Sequence, residues 1–263
     1  MIIDGRKIAE EILTRAKARA ACLPKAPLVV ALTALETPAT LSYLNIKRAK
    51  AIEAGCVFET RPLDAFCDDA DAVIVQLPLP SGMDQRETCD AIPLLKDADV
   101  LSRPARAKFE KGEPDALLPP VVGTVAEIFE SAQITPKGKR ATVIGEGWLV
   151  GHPAAVWLNQ QGADVSVVTS ADDVSSALSG ADIIVSGAGV PHLIKPEYVR
   201  RGVVLIDAGT SESGTPLSRL TLKIILPSYL VASGFMAISK FVQRDWLTYC
   251  SRNAGPTSAG HSS

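Results

Sequence analysis

Between residues 140 and 210 four short β-branched runs each end in glycine or a turn, with helix-forming segments after the first two. "RATVIGEG" (140–147) leads into the helix-like "HPAAVWLNQQG" (152–162), then "DVSVVTS" (164–170). A helical stretch at 174–180 follows, then the runs "ADIIVSGAG" (181–189) and "GVVLIDAGT" (202–210). Few folds accept this order. Parallel strands need a crossover, crossovers are right-handed, and their helices must cover both sheet faces. The pattern predicts a Rossmann-like nucleotide-binding unit.

The first half repeats the alternation less regularly. Residues 5 to 20 carry a helical stripe of Ile8, Ile12, Leu13 and Ala16, and "PLVVALTAL" (27–35) reads as a buried strand. Tyr43 to Ala54 returns to helical spacing and stops at Gly55, a suitable helix end. "CVFETRPL" (56–63) and "DAVIVQLPL" (71–79) read as further strands. The chain is therefore expected to be α/β throughout, as two parallel-sheet domains joined near "LLPPVVGTV" (117–125). The expected units are residues 1–122 and 123–232, with a C-terminal helix at about 233–248 completing the first. The tail 251–263, "SRNAGPTSAGHSS", lacks large apolar residues and is expected to be disordered.

Composition removes several classes of function. A net charge of −2 gives no electrostatic footprint for nucleic acid. The sequence holds no uncharged apolar run long enough to span a bilayer, and "MIIDGRKIAEEIL" carries Asp4, Glu10 and Glu11 where a signal peptide needs an apolar core. Cys22, Cys56, Cys67, Cys89 and Cys250 form no CxxC pair, which fits free thiols in a reducing cytosol and no metal site.

Candidate chemistry begins with "SYLNIKRAK" (42–50). Tyr43 and Lys47 stand four apart, so a helix puts both on one face; they enter one pocket or form the wet side of an ordinary helix. A lysine in an apolar cleft can give and take a proton near neutral pH. In "VQLPLP" (75–80) two prolines force the chain out of the sheet just after Gln76, at the strand end where α/β sheets bind ligands. "KDADVL" (96–101) sets Asp99 between apolar neighbours, either as an acceptor for a ligand amino group or as a turn residue. "VIGEGWLVGHP" (143–153) reads G-x-G-x-x-x-G between a strand and a helix, where backbone N–H groups can meet a phosphate. "SGAGVP" (186–191) supplies a second wall at another strand end.

In their order along the chain, "TPATLSYLNIK", "VQLPLP", "KDADVL", "LLPPVVG", "GEGWLVGHP", "SGAGVP" and "VVLIDAGT" resemble one family over residues 1 to about 214. It is the bifunctional methylenetetrahydrofolate dehydrogenase/methenyltetrahydrofolate cyclohydrolase family. The resemblance implies a cleft between a folate-binding catalytic domain and an NAD(P)-binding domain. It implies that Tyr43 stacks on the pterin, Lys47 is the catalytic lysine, Gln76 orients it, Leu77 and Pro78 flank the substrate, and Asp99 anchors the pterin. The implied cofactor residues are Gly145, Glu146, Gly147, Gly151, Pro153, Ser170, Gly187, Gly189 and Pro191, for NADP or NAD, with tetrahydrofolate as the one-carbon carrier. A cytoplasmic homodimer with small-molecule partners, serving one-carbon metabolism and purine biosynthesis, completes the expectation.

Three departures from the family pattern stand out. The cofactor loop usually reads Gly-Arg-Ser, whereas this chain has Gly145-Glu146-Gly147, which disfavours the 2′-phosphate of NADP by like-charge repulsion. Between the strands at 56–63 and 71–79 only "DAFCDDA" remains where the family has a helix, so one sheet face is expected to be partly uncovered unless a partner subunit covers it. After "DAGTSESG" the family's glycine-rich closing loop is missing, through divergence or a shifted reading frame near residue 214. Two other functions therefore stand beside the bifunctional one: a cyclohydrolase without hydride transfer, and a non-catalytic folate- or nucleotide-binding or truncated relative.

Overall fold

The β-branched runs form strands and the glycines end them, giving two parallel sheets. The computed structural model describes residues 3, 5–35, 37–169, 171–190 and 192–208, and the strand backbone of 224–225. In the first half, α1 (Gly5–Ala20), β1 (Leu28–Thr33), α2 (Pro38–Glu53), β2 (Val57–Pro62) and β3 (Ala72–Val75) build a sheet of order β2-β1-β3. The register runs Val29↔Phe58 on one side of β1 and Val29↔Ala72 on the other. Its alternating side chains feed two cores. Val29, Ala31 and Ile74 face α1 and α2, while Val30, Leu32, Val73 and Val75 face the opposite side.

That second face is covered by α3 (Gln85–Asp90), and α4 (Arg103–Glu110) follows; the sequence reading foresaw neither helix. Both are short and capped by side chains: Asp84 accepts from the N–H groups of Arg86 and Glu87, and Ser102 from that of Ala105. No helix joins β2 to β3. As expected from the short connection, the sheet is open there, with Val57 46 % and Phe66 73 % exposed.

α5 (Pro120–Ser131) contains the expected boundary at 122/123 and carries the chain into the second half. There β4 (Arg140–Ile144), α6 (Gly151–Gln160), β5 (Asp164–Val168), α7 (Val174–Ser179), β6 (Ile183–Ser186), β7 (Val204–Asp207) and β8 (Ile224–Ile225) form a parallel sheet of order β5-β4-β6-β7-β8. The order reverses at β4, so the crevice for a ligand lies beyond the carboxyl ends of β4 and β6. The helix expected at 233–248 and the tail at 251–263 lie outside the described residues. A single core cluster joins the halves: Ile8 and Ile12 of α1, Phe109 of α4 and Val122, Val125 and Ile128 of α5 pack with Val143, Leu158 and Ile183.

Candidate functional site

Lys47 is aimed by the start of its helix. Thr37 caps α2 by accepting from the Thr40 N–H, and Pro38 fits the first helical position. Two turns on, the Lys47 Nζ donates to Gln76 Oε1 at 3.1 Å and lies 3.9 Å from Asp99 Oδ2. Gln76 is nearly buried at the end of β3, where its backbone N–H still bonds to Leu32 O. Its Nε2 donates to Leu77 O at 2.7 Å, which turns Oε1 toward the lysine. The spacing of Tyr43 and Lys47 thus opens into a cavity, not onto a merely wet helix face. That cavity, of about 450 Å³, is lined by Tyr43, Lys47, Gln76, Leu77, Pro78 and Asp99 from the first half, by Val121 at the start of α5, and by Leu149 from the second half.

The loop that presents Asp99 is fixed from beneath. Asp97, fully buried, accepts from the N–H groups of Leu101 at 3.1 Å and Ser102 at 2.8 Å. Val100 between them has φ +55°, a left-handed conformation costly for a β-branched residue, and its surroundings hold it there. Asp99 Oδ1 is buried without a hydrogen-bond partner. Burial pushes the Asp99 carboxyl above its usual range; the Lys47 charge opposes this and the Asp97 charge adds to it. A carboxylate that keeps 14 % of its side chain exposed at the cavity edge suits a donor-bearing ligand such as a pterin amino group.

The second wall is built on glycines. Gly145 leaves β4 at φ +94°, and the loop folds back so tightly that a Cβ on Gly151 would stand 1.9 Å from Gly145 O. Among the described residues, the N–H groups of Glu146, Gly147, Trp148 and Leu149 donate to no protein acceptor. Pro153 is buried in the first turn of α6, whose N-terminus ends this loop. Gly187 and Gly189 follow β6 beside it, with Gly187 and Ala188 backbone atoms 3.7 Å from a Cβ placed on Gly145. Free amides, a helix start and a loop that excludes side chains are the features a dinucleotide phosphate requires, so the residues fit that group. Ser170 and Pro191, also expected here, lie outside the described residues.

Glu146 faces a second cavity of about 390 Å³ with Arg86, Arg103, Arg106, Glu110, Trp148 and His152. Sequence reasoning missed Asp97, Arg106 and Trp148. Asp97 sits in the quoted "KDADVL" and could have been found there; Arg106 reads as one more charge on a solvated helix.

Two parallel α/β units, a lysine–amide–carboxylate cluster on one wall and a glycine-bounded set of free amides on the other, define a dinucleotide-binding α/β protein with a second ligand pocket. Residues 119–221 match the model for the tetrahydrofolate dehydrogenase/cyclohydrolase NAD(P)-binding domain. The chain is 31 % identical over 228 residues to a bifunctional protein FolD of Acidiphilium cryptum, covering 81 % of each chain. It is 34 % identical over 229 residues to that of Synechococcus sp., covering 79 % of this chain and 77 % of the relative. The Trypanosoma brucei methylenetetrahydrofolate dehydrogenase-cyclohydrolase, solved with NADP and an inhibitor, superposes with a TM-score of 0.80 at 24 % identity, over 97 % of this chain and 98 % of that one. This chain belongs to the tetrahydrofolate dehydrogenase/cyclohydrolase family.

Proposed function

We propose that the chain oxidises 5,10-methylenetetrahydrofolate to 5,10-methenyltetrahydrofolate with a nicotinamide dinucleotide and hydrolyses the product to 10-formyltetrahydrofolate. The observation that carries this is the Lys47–Gln76–Asp99 cluster facing one cavity in a family member. Residues 1–122 would be the folate unit and 123–232 the dinucleotide unit. In a cytoplasmic homodimer joined through the latter, they would feed one-carbon units toward purine biosynthesis.

Each residue has a role that follows from its place. Tyr43, 38 % exposed on the cavity wall, offers a ring face for the pterin, with Leu77 and Pro78 as an apolar floor. Asp99 accepts from the pterin amino group where its carboxylate borders the cavity. In hydrolysis, water adds to the methenyl carbon and the bond from that carbon to N5 breaks. Lys47 carries protons between the incoming water and the departing nitrogen, with Gln76 holding its Nζ in line. When bound on the amides of residues 146–149 beside Gly187 and Gly189, the dinucleotide supplies the hydride acceptor.

NAD is the preferred cofactor in this reading, because Glu146 places a carboxylate where the family pattern has arginine. The test is absorbance-monitored turnover of 5,10-methylenetetrahydrofolate with NAD+ and NADP+ separately, in the parent chain and in Lys47→Met. Methenyl product is expected in the parent, faster with NAD+, and its hydrolysis is expected to fall at least about 100-fold in Lys47→Met, the usual weight of a positioned proton carrier. Faster turnover with NADP+ would overturn the cofactor assignment. Hydrolysis of supplied methenyltetrahydrofolate with no oxidation would leave a cyclohydrolase, and silence on both substrates would leave a binding protein.

A further inference from the structure

Arg106 has no part in the proton path above, yet it touches both walls. It is 6 % exposed on α4, and of all residues lining the two cavities only it and Leu101 line both. Its Nε donates to Val100 O at 3.0 Å, the carbonyl directly after Asp99. Its Nη2 donates to Trp148 O at 2.6 Å, in the loop after β4. The guanidinium also lies over the Trp148 ring, 5.0 Å from its centroid, and that ring packs on the core of the first sheet among Leu77 and Leu79. Its Nη1 is buried without a partner. Burial draws the guanidinium down to about 10, so it remains a cation at neutral pH.

Each bond fixes one loop. The bond to Val100 holds the left-handed residue that sets the direction of Asp99. The bond to Trp148 orients a peptide plane. In a trans peptide the carbonyl and the next N–H point opposite ways, so drawing Trp148 O onto Arg106 turns the free Leu149 N–H away from α4. The second cavity is not itself built as an anion site. Arg103 is committed to Asp90, and Glu110 and Glu146 balance the remaining arginines.

We infer that Arg106 is a positioning residue that ties the dinucleotide loop to the Asp99 loop, so that occupancy of either site tightens the other. This rests on the functional reading above and adds to it a route between the sites. Coupling between two ligands is a reciprocal free energy, and it vanishes when the element shared by both sites no longer responds to either.

The experiment is calorimetric titration of the whole chain with NAD+, with and without saturating tetrahydrofolate, in the parent, Arg106→Lys and Arg106→Gln. In the parent, tetrahydrofolate is expected to tighten NAD+ binding on the order of tenfold. In Arg106→Lys, which keeps the charge but loses the fork, the ratio is expected to fall below about twofold, whatever happens to the separate affinities. A merely structural role would weaken both affinities and leave the ratio intact, and that result in a folded variant overturns the inference. Arg106→Gln, which buries no charge, gives the same reading if the lysine variant does not fold. A parent chain that binds both ligands without coupling overturns the inference alone; one that binds no tetrahydrofolate overturns the functional reading with it.

Discussion

Asp99 is held in its cavity at a cost to the fold. Its folded-state value is raised by burial, so the folded chain binds more protons than the unfolded chain between the two values. Its contribution is therefore most favourable below the ordinary carboxylate range and is lost as pH rises through the raised value. Asp99→Asn removes the buried charge and lets an amide occupy the place of the unpartnered Oδ1. Thermal unfolding at pH 8 is expected to show a gain of about 1 kcal/mol, shrinking toward zero as pH drops to about 4, together with loss of folate binding. A stability loss that does not vary with pH would show that Asp99 is instead part of the fold's support. At this scale the sequence was most readable where a residue type is unusual for its setting. The amide of Gln76 beside two prolines stood out, whereas the spacing of Tyr43 and Lys47 was common among helices and Arg106 looked like any helix charge, because its role depends on two carbonyls brought to it from Val100 and Trp148.

Among the elements, the loop between β4 and α6 shows why spacing alone was a weak guide. The run G-x-G-x-x-x-G is longer than the usual fingerprint, and its third glycine is required by a contact six residues back: the Gly145 carbonyl occupies the place a side chain at 151 would need. Gly151→Ala must therefore open the loop that carries the free amides. NAD+ binding, read by titration, is expected to weaken by tenfold or more, at least about 1.4 kcal/mol, while hydrolysis of supplied methenyltetrahydrofolate persists. Unchanged NAD+ binding would mean that the amides of residues 146–149 do not hold the phosphates. The strands and longer helices were legible from apolar periodicity. Helices α3 and α4 were not, because α3 buries only Cys89 and α4 only Ala105, Arg106 and Phe109, too little apolar surface for a stripe, and only the caps at Asp84 and Ser102 marked them.

For the whole molecule, the two parallel sheets were legible as two strand–helix series, but whether the units that carry them are physically independent was not a matter the sequence could decide. α5 runs through the expected boundary, and one core cluster takes side chains from α1, α4, α5, α6 and the second sheet. Trp148 adds a second tie by packing on the far face of the first sheet. With so much apolar surface shared, separating the halves would expose it, so unfolding is expected to be one cooperative event. The chain carries its own reporters. Trp157 is buried on α6 in the second half, while Cys56 and Cys89 are buried in the first, their thiols pushed up to about 11 and about 12 mainly by burial. Both are thus slow to react while folded and labelled once exposed. Tryptophan fluorescence and pulsed thiol labelling mapped to Cys56 and Cys89 should give the same urea midpoint. A thiol transition well below the fluorescence transition would mean that the first sheet opens alone. The cleft would then be a meeting of two separate bodies, and the Arg106 tie would be too weak to hold them together.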